Sequence, residues 1–390
     1  MRSTVRMCAA ALCILLGGTV SAQPGPLTIA VLGDAGQRGA ILRGNAGLLD
    51  NMRTGQHDGG RCGVLVFLGD AFGATGLNVP ASDIDGEVNS TLGYFRPVMQ
   101  DIGPGNIHGI PGEADYYARM AVENTALFGL ITMSEWPVGL SDRGVQRAAA
   151  LPEWRFHAHY PCSAFYPAGD GTQDSVELIF FDSALLMRTS PPGWGGVLDS
   201  LRRLLHAPGR KAEWRILFTH HPLRSAGEHA GFTVWNDEDS TVERVTGCDR
   251  DSNAFRYVRN WIDPEDLCTD RYRAYCDSLG SIIGAPGSRI QVVLSSHDRS
   301  LQMLPPEGGL PAQIVSGCGS QTDLVRLPVP PVLFTAGRKT ENGRSLPGLV
   351  QLRWERGRVA VVFYNERNGE RVDMGGGKRA FSMGRDGDIR

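Results

Sequence analysis

Short, β-rich apolar runs, each cut off by a glycine, an acid, a histidine or a serine, constrain this chain most. They are Leu27–Leu32, Val64–Leu68, Val176–Phe181, Arg215–Phe218, Ile290–Leu294 and Gln313–Val315. Near-continuous Val/Ile/Leu/Phe stretches of roughly four to eight residues are how strands buried on both faces read. Helical periodicity lies between them. Gly195–His206 places Val197, Leu198, Leu201, Leu204 and Leu205 on one face, and Ala207-Pro208-Gly209 ends it. Strand–helix alternation of this kind predicts a layered α/β fold. Leu349–Trp354 and Arg358–Tyr364 flank Glu355-Arg356-Gly357 and predict a hairpin. Phe232 to about Gly287 is polar and cysteine-bearing, and reads as an insert between two core strands (about 232–287). The tail 366–390 is rich in Gly and charge and is expected to be disordered.

Composition sets the class. With 390 residues, 42% hydrophobic and 21% charged, the chain suits one large α/β domain, spanning 23–365, and not a disordered or fibrous protein. A net charge of −3 with no basic block leaves no electrostatic footprint for nucleic acid. Arg2 and Arg6, the apolar run Met7–Leu16 and Val20-Ser21-Ala22 make a secretory signal peptide over 1–22. No other stretch is long enough to span a bilayer, so the expected location is secreted, periplasmic or within the secretory pathway. Cys62, Cys162, Cys248, Cys268, Cys276 and Cys318 remain after cleavage, an even number that predicts disulfides in an exported chain. Their pairing is open, and none has zinc-type spacing.

The chemistry stands at the strand ends. The first run closes on Gly33-Asp34-Ala35-Gly36 and the second on Gly69-Asp70-Ala71-Phe72-Gly73. Asn106–Ile110 leads into Pro111-Gly112-Glu113-Ala114-Asp115, a later run into Thr219-His220-His221-Pro222, and another into Ser296-His297-Asp298-Arg299. Side chains carried on the carboxyl ends of adjacent strands converge on one crevice. Asp, Asp, Glu, His and His form a mixed oxygen and nitrogen ligand set. Taken singly, Asp34 and Asp70 could be helix caps, Glu113 and Asp115 solvated turn acids, and His220-His221 a core pair of which one is a ligand. His108 and His229 are further imidazoles within reach in sequence.

In order and spacing these segments resemble the five metal-binding motifs of the calcineurin-like metallophosphoesterases, the purple or tartrate-resistant acid phosphatase branch in particular. The resemblance covers about Leu27 to Tyr364. It extends to Trp214–Leu223 with Ser225 and His229, to Ser300-Leu301-Gln302, and to Gln313–Gly317. It implies a four-layer α-β-β-α sandwich of two mixed sheets and hydrolysis of phosphate esters. It also implies a site in which Asp34 and Asp70 hold one metal while Asp70, His220 and His297 hold a second.

The chain departs from the family pattern where chemistry is done. Gly73 stands at the family's tyrosine ligand, Arg299 at its last histidine ligand, Glu113 at its asparagine ligand and Ala114 at its proton-donating histidine. A guanidinium stays charged at working pH and repels a divalent ion beside it. The expectation is therefore an Arg299 salt bridge to Asp34, Asp70 or both. At most one divalent ion (Zn²⁺, Mn²⁺ or Fe²⁺), or none, is expected on Asp70, Glu113, His220 and His297. Arg299 is then the second positive group over a phosphate ester. Hydrolysis is weakened, since a positioned general acid alone contributes about 10²–10⁴-fold. The alternative is a pseudophosphatase, an exported binding or scaffold protein that meets a protein partner through the insert.

Overall fold

The computed structural model of the chain describes residues 25–37, 39–54, 61–71, 91–117, 157, 160–189, 191–209, 211–227, 229–230, 234–236, 241–243, 266–325, 332–336, 344–367 and 369–390. The leader 1–22 and Gly73 lie outside them. No helix among the described residues is long and apolar enough to cross a membrane.

The first sheet carries β1 (Thr28–Leu32), β2 (Val64–Phe67), β3 (Ile107–Gly109), β13 (Gly348–Glu355), β14 (Arg358–Asn365) and β15 (Phe381–Met383), in the order β15-β14-β13-β1-β2-β3. Strands β1, β2 and β3 run parallel, and the C-terminal strands add antiparallel to β1. The second sheet holds β4 (Cys162–Pro167), β5 (Ser175–Phe180), β6 (Trp214–Phe218), β9 (Val292–Ser295), β10 (Leu301–Leu304), β11 (Ala312–Ser316) and β12 (Phe334–Thr335), ordered β12-β10-β11-β9-β6-β5-β4. Its centre, β5-β6-β9-β11, is parallel. A separate small hairpin joins β7 (Val234–Asn236) to β8 (Thr241–Glu243).

Three apolar cores make this a four-layer α-β-β-α sandwich. Side chains alternate along each strand, so β1 sends Ile29 and Val31 between the sheets and Ala30 and Leu32 to the other face. That outer face is covered by α1 (Ala40–Thr54) and α2 (Arg96–Ile102), through Leu42, Leu49, Val98 and Met99. β6 places Trp214, Ile216 and Phe218 inward, where Trp214 meets Trp354 edge-to-face at 6.1 Å. Leu217 faces α4 (Ser183–Arg188), α5 (Gly195–Leu205) and α6 (Asp270–Ile283). The predicted Gly195–His206 helix is α5, with Leu198, Leu201 and Leu205 buried.

Two expectations are corrected and a third is cut back. The expected disordered tail, 366–390, is ordered where described: Phe381–Met383 pairs with β14 and buries Phe381 and Met383 in the inter-sheet core. A few apolar residues suffice there because the edge of β14 offers a row of backbone donors and acceptors. The supposed insert, 232–287, ends in a core helix. α6 is capped by Thr269, whose side chain accepts from Tyr272 N at 3.3 Å, and it buries Tyr272, Tyr275, Leu279, Ile282 and Ile283. The disulfide expectation is cut back: among the described cysteines Cys268 is disulfide-bonded, while Cys62, Cys162, Cys276 and Cys318 are free thiols. An even count of cysteines says nothing of the roughly 5.5–6 Å Cα separation a bridge needs.

Candidate metal centre

The carboxyl ends of β1, β2 and β3 face those of β6 and β9 across the top of the sandwich. The seam between the sheets is tight. Gly33 N donates to Ser316 O at 2.7 Å, and Gly319 N to Gly33 O at 2.9 Å. At Gly69 (φ 93°) a Cβ would lie 2.5 Å from His220 Nδ1 and 2.6 Å from Gly112 N, so only glycine fits. Asp34, Asp70 and His297 adopt φ of 52°, 52° and 63°. Left-handed backbone at non-glycine residues is strained and concentrates at functional sites. Here it turns all three side chains into one buried space.

Glu113 opens α3 (Glu113–Tyr117) and is the hub. Its Oε2 lies 2.6 Å from His220 Nε2 and 3.4 Å from His221 Nε2, and its Oε1 is 3.0 Å from His297 Nδ1. His220 Nδ1 lies 2.6 Å from the Leu68 carbonyl, which can only accept, so the proton sits on Nδ1 and Nε2 faces the hub. Asp70 Oδ1 accepts from Ala114 N at 2.9 Å and stands 3.9 Å from His220 Nε2. Asp34 Oδ2 accepts from His297 N at 3.1 Å. Two donor groups result: Glu113, His220, His221 and His297, and Asp34, Asp70 and His220, the ligand atoms of each lying within 4.8 Å of one another. Asp34, Asp70, Glu113, His220 and His297 all fall within these two groups.

Electrostatics divide the site. Burial raises the Asp34 and Asp70 carboxyls, the latter well above the usual range with Glu113 adding to it. Burial alone would raise Glu113 too, but His220 and His297 outweigh it and hold it well below. Burial and the neighbouring His297 push His221 well below the ordinary imidazole value. Arg299 does pair with Asp34, Nε to Oδ1 at 3.7 Å, and its other partner is Asp323, Nη1 to Oδ2 at 3.6 Å. Among the described residues it makes no ion pair with Asp70. The guanidinium thus occupies the Asp34 side of the cleft, where it opposes a cation.

Sequence reasoning missed Asp115, which is no solvated turn acid. Its carboxylate accepts from Ala71 N and Gly112 N, both at 2.9 Å, tying the β2 and β3 ends together, and burial pushes its pKa up to about 7. His229 stands behind the cluster, its ring 4.8 Å from that of His297. His108 is elsewhere. It packs between the sheets on Phe180, with Nε2 2.7 Å from Tyr166 Oη and Nδ1 3.1 Å from His157 Nε2. Burial pushes His108 down to about 3 and His157 to about 4. Both stay neutral when folded, so the unfolded chain takes up their protons first. Stability from each is fully present above pH 6.5 and falls by roughly 1.4 kcal/mol per pH unit below it, until the folded pKa is reached. Urea titrations should show a shallower acid slope for His108→Gln; an unchanged slope would count against this assignment.

A divalent ion fits these residues. Glu113 Oε2, His220 Nε2 and His221 Nε2 are buried and converge, and His221 Nε2 has no hydrogen-bond partner. Buried polar atoms without partners are costly, and mixed carboxylate and imidazole donors suit Zn²⁺, Mn²⁺ or Fe²⁺.

No protein-family model matches the chain, and no curated protein matches it by sequence. Solved structures do resemble it. GAP50, described as the anchor in the inner membrane complex of Plasmodium, superposes with a TM-score of 0.57 at 16% identity, covering 90% of this chain and 87% of its own. PhoD gives 0.50 at 9% identity, covering 94% of this chain and 72% of its own. Identities this low establish architecture. The chain has the two-sheet α/β sandwich fold of the calcineurin-like metallophosphoesterases.

Proposed function

We propose that the chain is an exported, acid-phosphatase-like metallophosphoesterase that hydrolyses phosphate monoesters weakly with one divalent ion. The observation that carries this reading is the convergence of Glu113, His220 and His297 on one buried point beside Arg299. Such an ion supplies Lewis acidity toward a phosphoryl oxygen and toward water. The chain's own residues would do the rest. Arg299, whose side chain is 29% exposed, would meet the phosphoryl oxygens from the Asp34 side as a fixed cation. Glu113 and the imidazoles would hold the ion, and the buried walls would exclude bulk water. The weakness is read from Ala114, which offers no proton to a leaving group; what it offers is its N–H, spent on Asp70.

An assay of the purified protein on an aryl phosphate, from acidic to neutral pH with added Mn²⁺, Zn²⁺ or Fe²⁺, tests this. Slow turnover that Glu113→Gln abolishes is the expected result. A second reading is favoured by Arg299 beside Asp34 and by the likeness to GAP50, whose description is that of an anchor. In it the chain is a pseudophosphatase that binds a protein partner. Its partner surface would lie in the stretch 232–287, which is largely outside the described residues up to 265. No turnover with any metal, together with a melting temperature unmoved by chelator, would favour that reading.

A further inference from the structure

We propose that His221 is a ligand of this ion, so that it sits on Glu113, His220, His221 and His297 and away from Asp70, with Ser183 setting the His221 ring for that role. The inference rests on the metal-binding part of the function proposed above and is independent of turnover.

Adjacent residues of an extended strand point to opposite faces, so two neighbouring histidines do not ordinarily meet at one atom. Here β6 has ended at Phe218, and the segment bends into Pro222. Two hydroxyls from α6 grip the bend: Tyr275 Oη donates to His221 O and Tyr272 Oη to Pro222 O, each at 2.8 Å. Both rings, wholly buried, then turn Nε2 toward Glu113 Oε2.

Distances favour four-coordination. Ligand atoms about 2.0–2.1 Å from a tetrahedral ion stand roughly 3.4 Å from one another. Glu113 Oε2 stands 2.6 Å from His220 Nε2 and 3.4 Å from His221 Nε2, so modest outward movement of His220 accommodates the ion, and His297 Nδ1, 3.0 Å from Oε1, completes a group whose ligand atoms lie within 4.8 Å of one another. Asp70 is less suited. It is outside this donor group, and the Oδ1 that faces His220 already accepts from Ala114 N.

The proton inventory at Ser183 explains how His221 is readied. Ser183 Oγ accepts from His221 N at 2.9 Å and lies 2.9 Å from His221 Nδ1. When His221 Nδ1–H donates to Ser183 Oγ, Nε2 is left bare toward Glu113. The opposite tautomer would put a proton on Nε2, where no hydrogen bond to Glu113 forms. A histidine ligand whose other ring nitrogen is held in this way is oriented and made more basic.

Cobalt(II) is the probe, because its visible absorption reports coordination number and ligand type. The purified full chain should bind one Co²⁺ with the intense bands of a tetrahedral site. His221→Ala should weaken Co²⁺ binding at least about 10-fold and alter the bands; Ser183→Ala should weaken it by about 10–100-fold. Asp70→Asn should keep one Co²⁺ per chain and the tetrahedral bands, with a smaller change in affinity than His221→Ala gives. Melting temperatures in chelator show whether each variant is folded, and Ser183→Ala decides the matter if His221→Ala is not. Wild-type affinity and spectrum in both of these variants, or their loss in Asp70→Asn alone, would overturn the assignment, as would a wild-type chain that binds no Co²⁺. A chain that binds Co²⁺ as described but hydrolyses nothing ends the phosphatase reading and supports this one.

Discussion

His220→Ala is expected to abolish every ion-dependent property of the protein. His220 is the one side chain shared by both donor groups, so its removal breaks each of them. Its ring is also the most firmly held: Nδ1 lies between the Leu68 carbonyl at 2.6 Å and Ser296 Oγ at 2.8 Å, with the imidazole wholly buried. An ion that binds only the folded chain stabilises it by about 4 kcal/mol at 1,000 times its dissociation constant. Thermal melts of the wild type with saturating Zn²⁺ or Mn²⁺ should therefore lie several degrees above melts in chelator. The His220→Ala melts should coincide. A variant that keeps the metal-induced rise would show that the ion sits elsewhere.

The second large effect concerns stability alone. Arg215 and Glu177 face each other across β6 and β5, Nε to Oε2 at 2.9 Å, with side chains only 5% and 1% exposed. Arg215 Nη1 also donates to Leu205 O at 2.9 Å and Ser288 O at 3.0 Å, joining the end of α5 to the turn after α6. Arg215→Met strands a buried carboxylate and is expected to cost about 3–5 kcal/mol. Replacing both members, Arg215→Met with Glu177→Leu, should recover most of that loss, because the pair's desolvation cost disappears with it. Urea midpoints at constant m-value measure both. A double variant no better than the single would mean that the arginine's carbonyl contacts matter more than its charge.

Much of this was legible in the sequence because the signals are local. A buried parallel strand must be continuously apolar, and a Gly-Asp turn after it must free its carboxylate, so β1, β2, Asp34 and Asp70 announce themselves. Arg299 was legible through the same register, since its place after β9 fixes which cleft it enters. What stayed hidden depends on distant parts. α6 reads as polar because its buried positions include Tyr272 and Tyr275, whose hydroxyls find acceptors only in the folded Thr219–Pro222 bend. Asp115 looks like a turn acid until two backbone donors from separate loops close on it. Asp323 comes to Arg299 from beyond the last motif, and β15 is too short to declare itself without the edge it completes.

The position of β1 has a consequence for biosynthesis. Strand 28–32 is seated between β2, some thirty residues away, and β13, which lies more than three hundred residues downstream. A nascent chain can form its early helices and the β1–β3 layer while still being made, but one rim of β1 stays bare until Gly348–Glu355 has emerged. Long-range closure of this kind is slow and exposes unpaired edges while it waits. Translation that stalls in the interval would leave a sticky half-sheet, so this fold places a premium on chaperone cover until about the last tenth of the polypeptide arrives.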